Sequence, residues 1–173
     1  MDAVIEYGKL LIPAVLVLYA MYLTVKSFLN KELEKTMLEI RGKSIETVLP
    51  NRLQAYERMC LFLERITPNS LVSRLNNGTY TAKEFQFILL NEIREEYNHN
   101  VSQQIYMSDE VWGQIKNAKE DLVVMVNNAA SKMGEKATNA DLSKQLLEDY
   151  FTKENDLIAL ALHEAKNEIR QVY

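Results

Sequence analysis

Leu10–Val25, LLIPAVLVLYAMYLTV, is the stretch that decides how the chain is built. It runs sixteen residues without a charge, and only Tyr19, Tyr22 and Thr24 carry a strong hydrogen-bonding side chain. At 1.5 Å per residue it makes about 24 Å of helix, somewhat less than a hydrocarbon core of ~30 Å. The flanks supply the rest. Lys9 and Lys26 stand just outside and can reach the headgroups along their own methylene stems. Val4, Ile5, Tyr7 and Gly8 extend the apolar surface before the run, and Phe28 and Leu29 extend it after. Tyr7, Tyr19 and Tyr22 suit a membrane–water interface. Pro13 lies near the helix start, where its missing N–H costs least. A core helix of a globular domain normally shows a polar edge, and this segment shows none for four turns. The expectation is a transmembrane anchor with its flanks at residues 1–29, in which residues 10–25 meet membrane lipid.

The anchor reads as retained. Asp2 and Glu6 against Lys9 make the wrong start for a signal peptide, and no small-x-small cleavage site follows the run. The N-terminal side offers Lys9 alone, whereas Lys26, Lys31, Lys35, Arg41 and Lys43 follow the run. The positive-inside rule then predicts a short N-terminus outside and a cytoplasmic C-terminal domain.

Working outward, Leu29, Leu33, Met37 and Ile40 recur at helical spacing between charged residues. Residues 30–49 are therefore expected to form a juxtamembrane helical stalk. Its narrow stripe could join copies of the chain as a coiled-coil seam or lie against its own domain. Leu49-Pro50-Asn51 reads as a break, and residues 50–173 as a cytoplasmic helical bundle. In Asn51–Ile66, NRLQAYERMCLFLERI, the stripe Leu53, Tyr56, Cys60, Leu63 with Met59, Phe62 and Ile66 beside it predicts a central core helix.

The next helices are announced by their caps. Thr67-Pro68 opens a short one to Leu75, stopped by Asn76-Asn77-Gly78. Thr81-x-x-Glu84 is a capping box for a helix to about Asn98, with Phe85, Ile88, Leu89 and Ile93 inward. His99–Met107 reads either as connector or as helix. Ser108 opens Asp109–Met133, ended by Gly134, and Thr138-x-x-Asp141 opens Asn139–Tyr150. A last helix from Asn155 to Val172 is expected to bury Leu157, Leu160, Ala161, Ala165 and Ile169. No segment alternates with period two for long enough to predict a strand. The fold class is all-α.

Composition narrows function more than it names it. Charged residues make up 25% and the net charge is −4, so no basic face suits a nucleic acid and no nucleic-acid partner is expected. The single cysteine, Cys60, excludes an intrachain disulfide and fits a reducing compartment. In the string MCLFL it reads as a small buried hydrophobe rather than a nucleophile. Five scattered glycines leave no phosphate-cradling loop.

Glu96-x-x-His99, with Glu92 and Glu95 near, has the spacing by which dimetal bundles hold a metal, but His163 lacks the Glu that a second half-site needs. No catalytic residue, cofactor or metal ligand is assigned. A metal-dependent membrane-associated enzyme using Glu92, Glu96 and His99 is kept as the reading from a different class. Arg52, Glu57, Arg58 and Arg94-Glu95-Glu96 are read as solvated faces in preference to an ion-pair cluster. Asn77-Gly78-Thr79 and Asn100-Val101-Ser102 match the glycosylation sequon, by chance in a cytoplasmic domain.

Two blocks carry a resemblance. Leu49–Arg58 (LPNRLQAYER) continues into Leu61–Leu71 (LFLERITPNSL), and Arg94–Asn100 (REEYNHN) is followed by Ser102–Tyr106 (SQQIY). Across nearly its whole length the sequence resembles an uncharacterised family of short bacterial proteins with one N-terminal membrane helix and a helical domain of unknown function. The resemblance implies an inner-membrane setting and carries over no catalytic residue.

The expected role is a non-catalytic, single-pass helical module. It would act as a protein-interaction or scaffold subunit at the cytoplasmic face of a bacterial inner membrane. A homo-oligomeric assembly through the stalk is the second form of that reading. The candidate partner surface is Arg94, Tyr97, His99, Gln103, Gln104 and Tyr106, which combine charge, amide and aromatic groups.

Overall fold

A computed structural model describes the backbone of residues 2–76 and 78–171, and the side chains of all of these except 2–14, 41, 44 and 45. The described chain is all-α. Its elements are α1 (Asp2–Arg65), α2 (Pro68–Leu75), α3 (Ala82–Asn100), a short 3-10 helix (Val101–Tyr106), α4 (Asp109–Ser131), α5 (Asn139–Phe151) and α6 (Leu157–Arg170). The chain divides into two compact units, Met1–Leu49 and Pro50–Tyr173.

The first unit is helical wherever it is described. Among the described residues no helix is long and apolar enough to cross a membrane. Only Val15–Val25 of the apolar run is described with side chains, and about twenty apolar residues are needed to span. The expected spanning helix at 10–25 therefore finds no support there. Leu10–Ala14, its first part, lie outside the described side chains.

The break expected at Leu49-Pro50-Asn51 does not form. The backbone stays helical through Pro50 to Arg65. Proline removes one ladder bond and normally costs about 3 kcal/mol inside a helix. Here the ring is exposed, so the freed carbonyl of Glu46 can bond to water.

In the second unit, the Pro50–Arg65 part of α1 buries Ala55, Tyr56, Met59, Phe62 and Leu63. Met59 lies at the middle of that face. The expected stripe through Leu53 and Cys60 is rotated from it by about 100° at 100° per residue. Leu53 is accordingly exposed and Cys60 only half-buried. Ile88 is likewise half-buried, while Phe85, Leu89 and Ile93 are fully buried.

α6 packs chiefly on α4. Its buried face is Ile158, Ala161, Ala165 and Ile169, and Leu160 is exposed against expectation. Ala161 and Ala165 at the centre of that face are fully buried, so small side chains fill the middle of the α6 contact.

Every α-helix after α1 opens on a side-chain cap, whereas the 3-10 helix does not. The hydroxyls of Thr67, Thr81, Ser108 and Thr138 accept from backbone N–H groups, and Asp156 accepts from Ile158 and Ala159. Thr81 and Thr138 form an antiparallel bridge, so the two capping boxes lie side by side. Beside them the buried Asn139 donates through Nδ2 to the side chain of Asn76 (2.5 Å) and to Gly78 O (2.7 Å). A Cβ at Gly78 would meet the Tyr80 ring at 2.8 Å.

Candidate interaction surface

The segment Arg94–Tyr106 leaves α3, turns through the 3-10 helix and ends at the cap of α4. Its backbone is held by a ladder of arginines from α1. Arg58 Nε donates to Asn100 Oδ1 (3.2 Å) and Arg58 Nη2 to the carbonyl of His99 (3.5 Å), in the last turn of α3. Arg52 Nε donates to the carbonyl of Tyr106 (3.2 Å), the last residue of the 3-10 helix. Both guanidiniums satisfy carbonyls at a helix C-terminus, where a positive charge is also favoured by the dipole. Asn100, buried, completes the link by donating through Nδ2 to Glu96 O (2.8 Å).

Two further arginines take up the carboxylates. Arg65 pairs with Glu96 through Nε (2.6 Å) and Nη2 (2.5 Å). Arg74 Nη1 pairs with Glu92 (2.8 Å), and its Nη2 caps Arg65 O (3.2 Å). The Glu96 carboxylate pushes the Arg65 guanidinium above its ordinary value, first by hydrogen bonding and then by charge. Of the acidic groups expected to stay solvated, Glu96 is thus partnered by Arg65, while Glu57 and Glu95 stay exposed.

The candidate partner residues divide. Tyr97 is half-buried: its ring stacks on Trp112 (centroids 5.7 Å apart), tilts on Phe62 (6.0 Å) and receives Lys119 Nζ at 4.5 Å. Tyr106 is half-buried, with its carbonyl on Arg52. Gln103 is half-buried and donates to Ser102 Oγ (3.2 Å). Arg94, His99 and Gln104 are exposed. Beside them the sequence reading missed Ile105, the most exposed large apolar side chain in the described structure at 76%. Its isolation between polar neighbours was the only available signal.

The Glu92, Glu96 and His99 set opens onto a shallow cleft with Arg65, Glu95 and Asn98. Among the described residues no group of three or more His, Cys, Asp and Glu side chains is placed to hold a metal ion. A cation here would have to displace two guanidiniums. At Cys60, burial first of all pushes the thiol above its ordinary value, which disfavours the reactive thiolate.

A second polar centre was not foreseen. Glu168 on α6 accepts from Ser108 N–H (3.0 Å) and Ser108 hydroxyl (2.7 Å), with Arg52 Nη2 at 3.7 Å. Burial works to raise the Glu168 carboxyl, but the hydroxyls of Tyr56 and Ser108, the Ser108 N–H and the Arg52 charge hold it below its ordinary value. The buried Tyr56 hydroxyl faces this group without a hydrogen bond of good geometry. Burial first, then Glu168, push it up to about 12.

With that geometry in place, comparison with known families bears on the chain as a whole. The model of DUF7935, a family of unknown function, matches residues 2–172. The chain belongs to the DUF7935 family. No curated protein and no solved structure gives a significant match. In this DUF7935 chain the two sequence blocks quoted above are the two sides of the arginine ladder. Arg52, Arg58 and Arg65 come from the first, and Glu96, His99, Asn100 and Tyr106 from the second.

Proposed function

We propose that this DUF7935 protein is a non-catalytic, single-pass helical module. Residues 10–25 would anchor it in a bacterial inner membrane, with the N-terminus outside. Residues 50–171 would present a protein-contact edge at the cytoplasmic face. One observation supports this most. Every described side chain from Val15 to Ile40 is exposed, including fifteen large apolar ones. Exposed apolar surface on that scale marks contact with lipid or protein, and from Val15 to Val25 it goes right round the helix. The charge-free sequence Leu10–Ala14 extends the run toward spanning length.

The contact edge is assigned to Arg94, His99, Gln104 and Ile105, with Gln103 beside them. Tyr97 and Tyr106 serve to hold it in shape. The arginine ladder fixes the backbone of an element that has no buried residue of its own, which suits a surface that must be presented in one form.

Fractionation tests the anchor. The full chain should pellet with membranes, resist an alkaline carbonate wash and come off in mild detergent. A variant lacking residues 2–29 should remain in the supernatant. Full-length protein in the soluble fraction would overturn the anchor. For the edge, capture from detergent extracts by wild type and by His99→Ala/Gln104→Ala/Ile105→Ala is compared. A stoichiometric protein lost only from the triple variant, at unchanged melting temperature, is the expected outcome; an identical set of captured proteins would remove the assignment.

A further inference from the structure

We propose that the helix face through Leu29, Leu33, Met37, Ile40 and Val48 is a seam for a second copy of this chain, running parallel and in register. The parallel sense and the register rest on the anchor reading above, and the exposed apolar face does not.

Leu29, Leu33, Met37 and Ile40 follow one another at steps of four, four and three. Continued forward, the same steps pass through Ser44 and Val48. Continued backward, they pass through Lys26, Tyr22 and Leu18. The period is eleven residues, or about 3.67 per turn, so a nearly straight helix keeps the stripe on one side and pairs with a slight right-handed wind. The described apolar members of the stripe are all exposed, Leu33, Met37 and Ile40 by 60% or more. The opposite side carries Lys31, Lys35, Glu39 and Glu46, with an i,i+4 pair between Lys35 and Glu39 at 3.9 Å. Between Leu29 and Val48 this is thus the more apolar side of the helix, Leu38 on the far side excepted, and it has no cover within the described residues.

One flank of the stripe carries a shallow hollow. Asn30, Leu33, Glu34 and Met37 stand at i, i+3, i+4 and i+7, and they surround a hollow on the helix surface with Leu38 at its rim. That is the four-residue hole into which a neighbouring helix inserts one side chain.

The area fits a second copy. Leu29, Leu33, Met37, Ile40 and Val48, exposed by 44–63%, offer up to about 100 Å² of apolar surface each, on the order of 1,000 Å² for two copies. That is the lower edge of a stable interface, and shared anchoring raises the effective concentration of the second helix. A copy also presents the same stripe at the same height above the membrane, which an unrelated partner has no reason to do.

Site-directed crosslinking of the full chain tests this. In a Cys60→Ala background, single cysteines replace Leu33, Met37 or Ile40 on the seam, or Lys31, Lys35 or Gly42 on the far side. A short bismaleimide is applied to membranes and to detergent extracts. The expected result is a product of twice the chain mass from seam positions, with far-side positions at background. Equal products from both sets, a product of another mass, or none, would each overturn the seam. Leu33→Asp with Ile40→Asp should weaken self-association at least about a hundredfold, because each buries unpaired charges. An unchanged melting temperature of the helical domain would separate that loss from misfolding. A chain that fractionates as soluble but keeps the pattern would refute the anchor and leave the seam standing. Membrane insertion without the pattern would do the reverse.

Discussion

Tyr56 places a hydroxyl in the core, 2% exposed and without a partner of good geometry. An unmet buried hydroxyl costs about 1–3 kcal/mol. Tyr56→Phe should therefore leave stability unchanged or raise it by up to about 1 kcal/mol at neutral pH, read from urea midpoints. A clear loss would mean that the hydroxyl is bonded to Glu168 after all. The pH dependence follows from the raised value. A proton held more tightly in the folded state contributes stability fully below the ordinary tyrosine value near 10, and that contribution is lost as pH rises through about 12. Wild type should thus lose stability more steeply than Tyr56→Phe between those two values. Arg58 carries the opposite case. Arg58→Ala leaves the buried Asn100 oxygen and the His99 carbonyl without their donor, for an expected loss of about 1–3 kcal/mol. Arg58→Lys keeps the charge but not the fork of donors, so it should recover only part of that loss.

At the scale of elements, hydroxyl caps were legible and helix faces only roughly so. A cap is a local event: Thr81 and Thr138 name their own partners three residues on, and both boxes form as spelled. Thr81→Ala and Thr138→Ala should each cost about 1 kcal/mol. Because the two boxes meet in the Thr81–Thr138 bridge, the double variant should depart from additivity, and a double-mutant cycle reads the coupling. The centre of a helix face depends on what packs against it. In α1 and α6 the sequence drew the reading toward Leu53, Cys60 and Leu160, whereas the structure centres on Met59 and on alanines. The arginine ladder was illegible for a plainer reason. Its partners lie 31 to 54 residues apart, and a charge in a sequence does not announce which distant carbonyl it will meet. Pro50 failed as a stop signal because its ring is exposed, so water can take up the one carbonyl that it frees. Pro50→Ala restores that bond, so it should raise the melting temperature; a drop would show that the ring itself is needed there.

For the whole molecule, the buried core among the described residues runs from Tyr56 to Ile169, within the second unit. Its carboxylates set the acid limit. Glu168, Asp149, Glu84 and Asp141 are all held below their ordinary values: Asp149 first by Lys132, and Glu84 and Asp141 first by the backbone N–H of Thr81 and Thr138. A depressed carboxyl contributes stability above its unfolded value and loses it as pH falls through its folded value. The urea midpoint should therefore stay level down to pH ~5 and fall from pH ~4 downward. Glu168→Gln should lower the plateau and flatten that fall, since only the charged form accepts twice from Ser108 and attracts Arg52. No described side chain before Ala55 is among the buried apolar residues, so a chain of residues 50–171 keeps every described hydrophobic core contact. Its melting temperature should match that of the full chain in detergent to within a few degrees, a difference that corresponds to about 1 kcal/mol at this size. A much lower value would mean that the exposed stripe of the first unit stabilises the bundle, and would move that stripe from self-association to intramolecular cover.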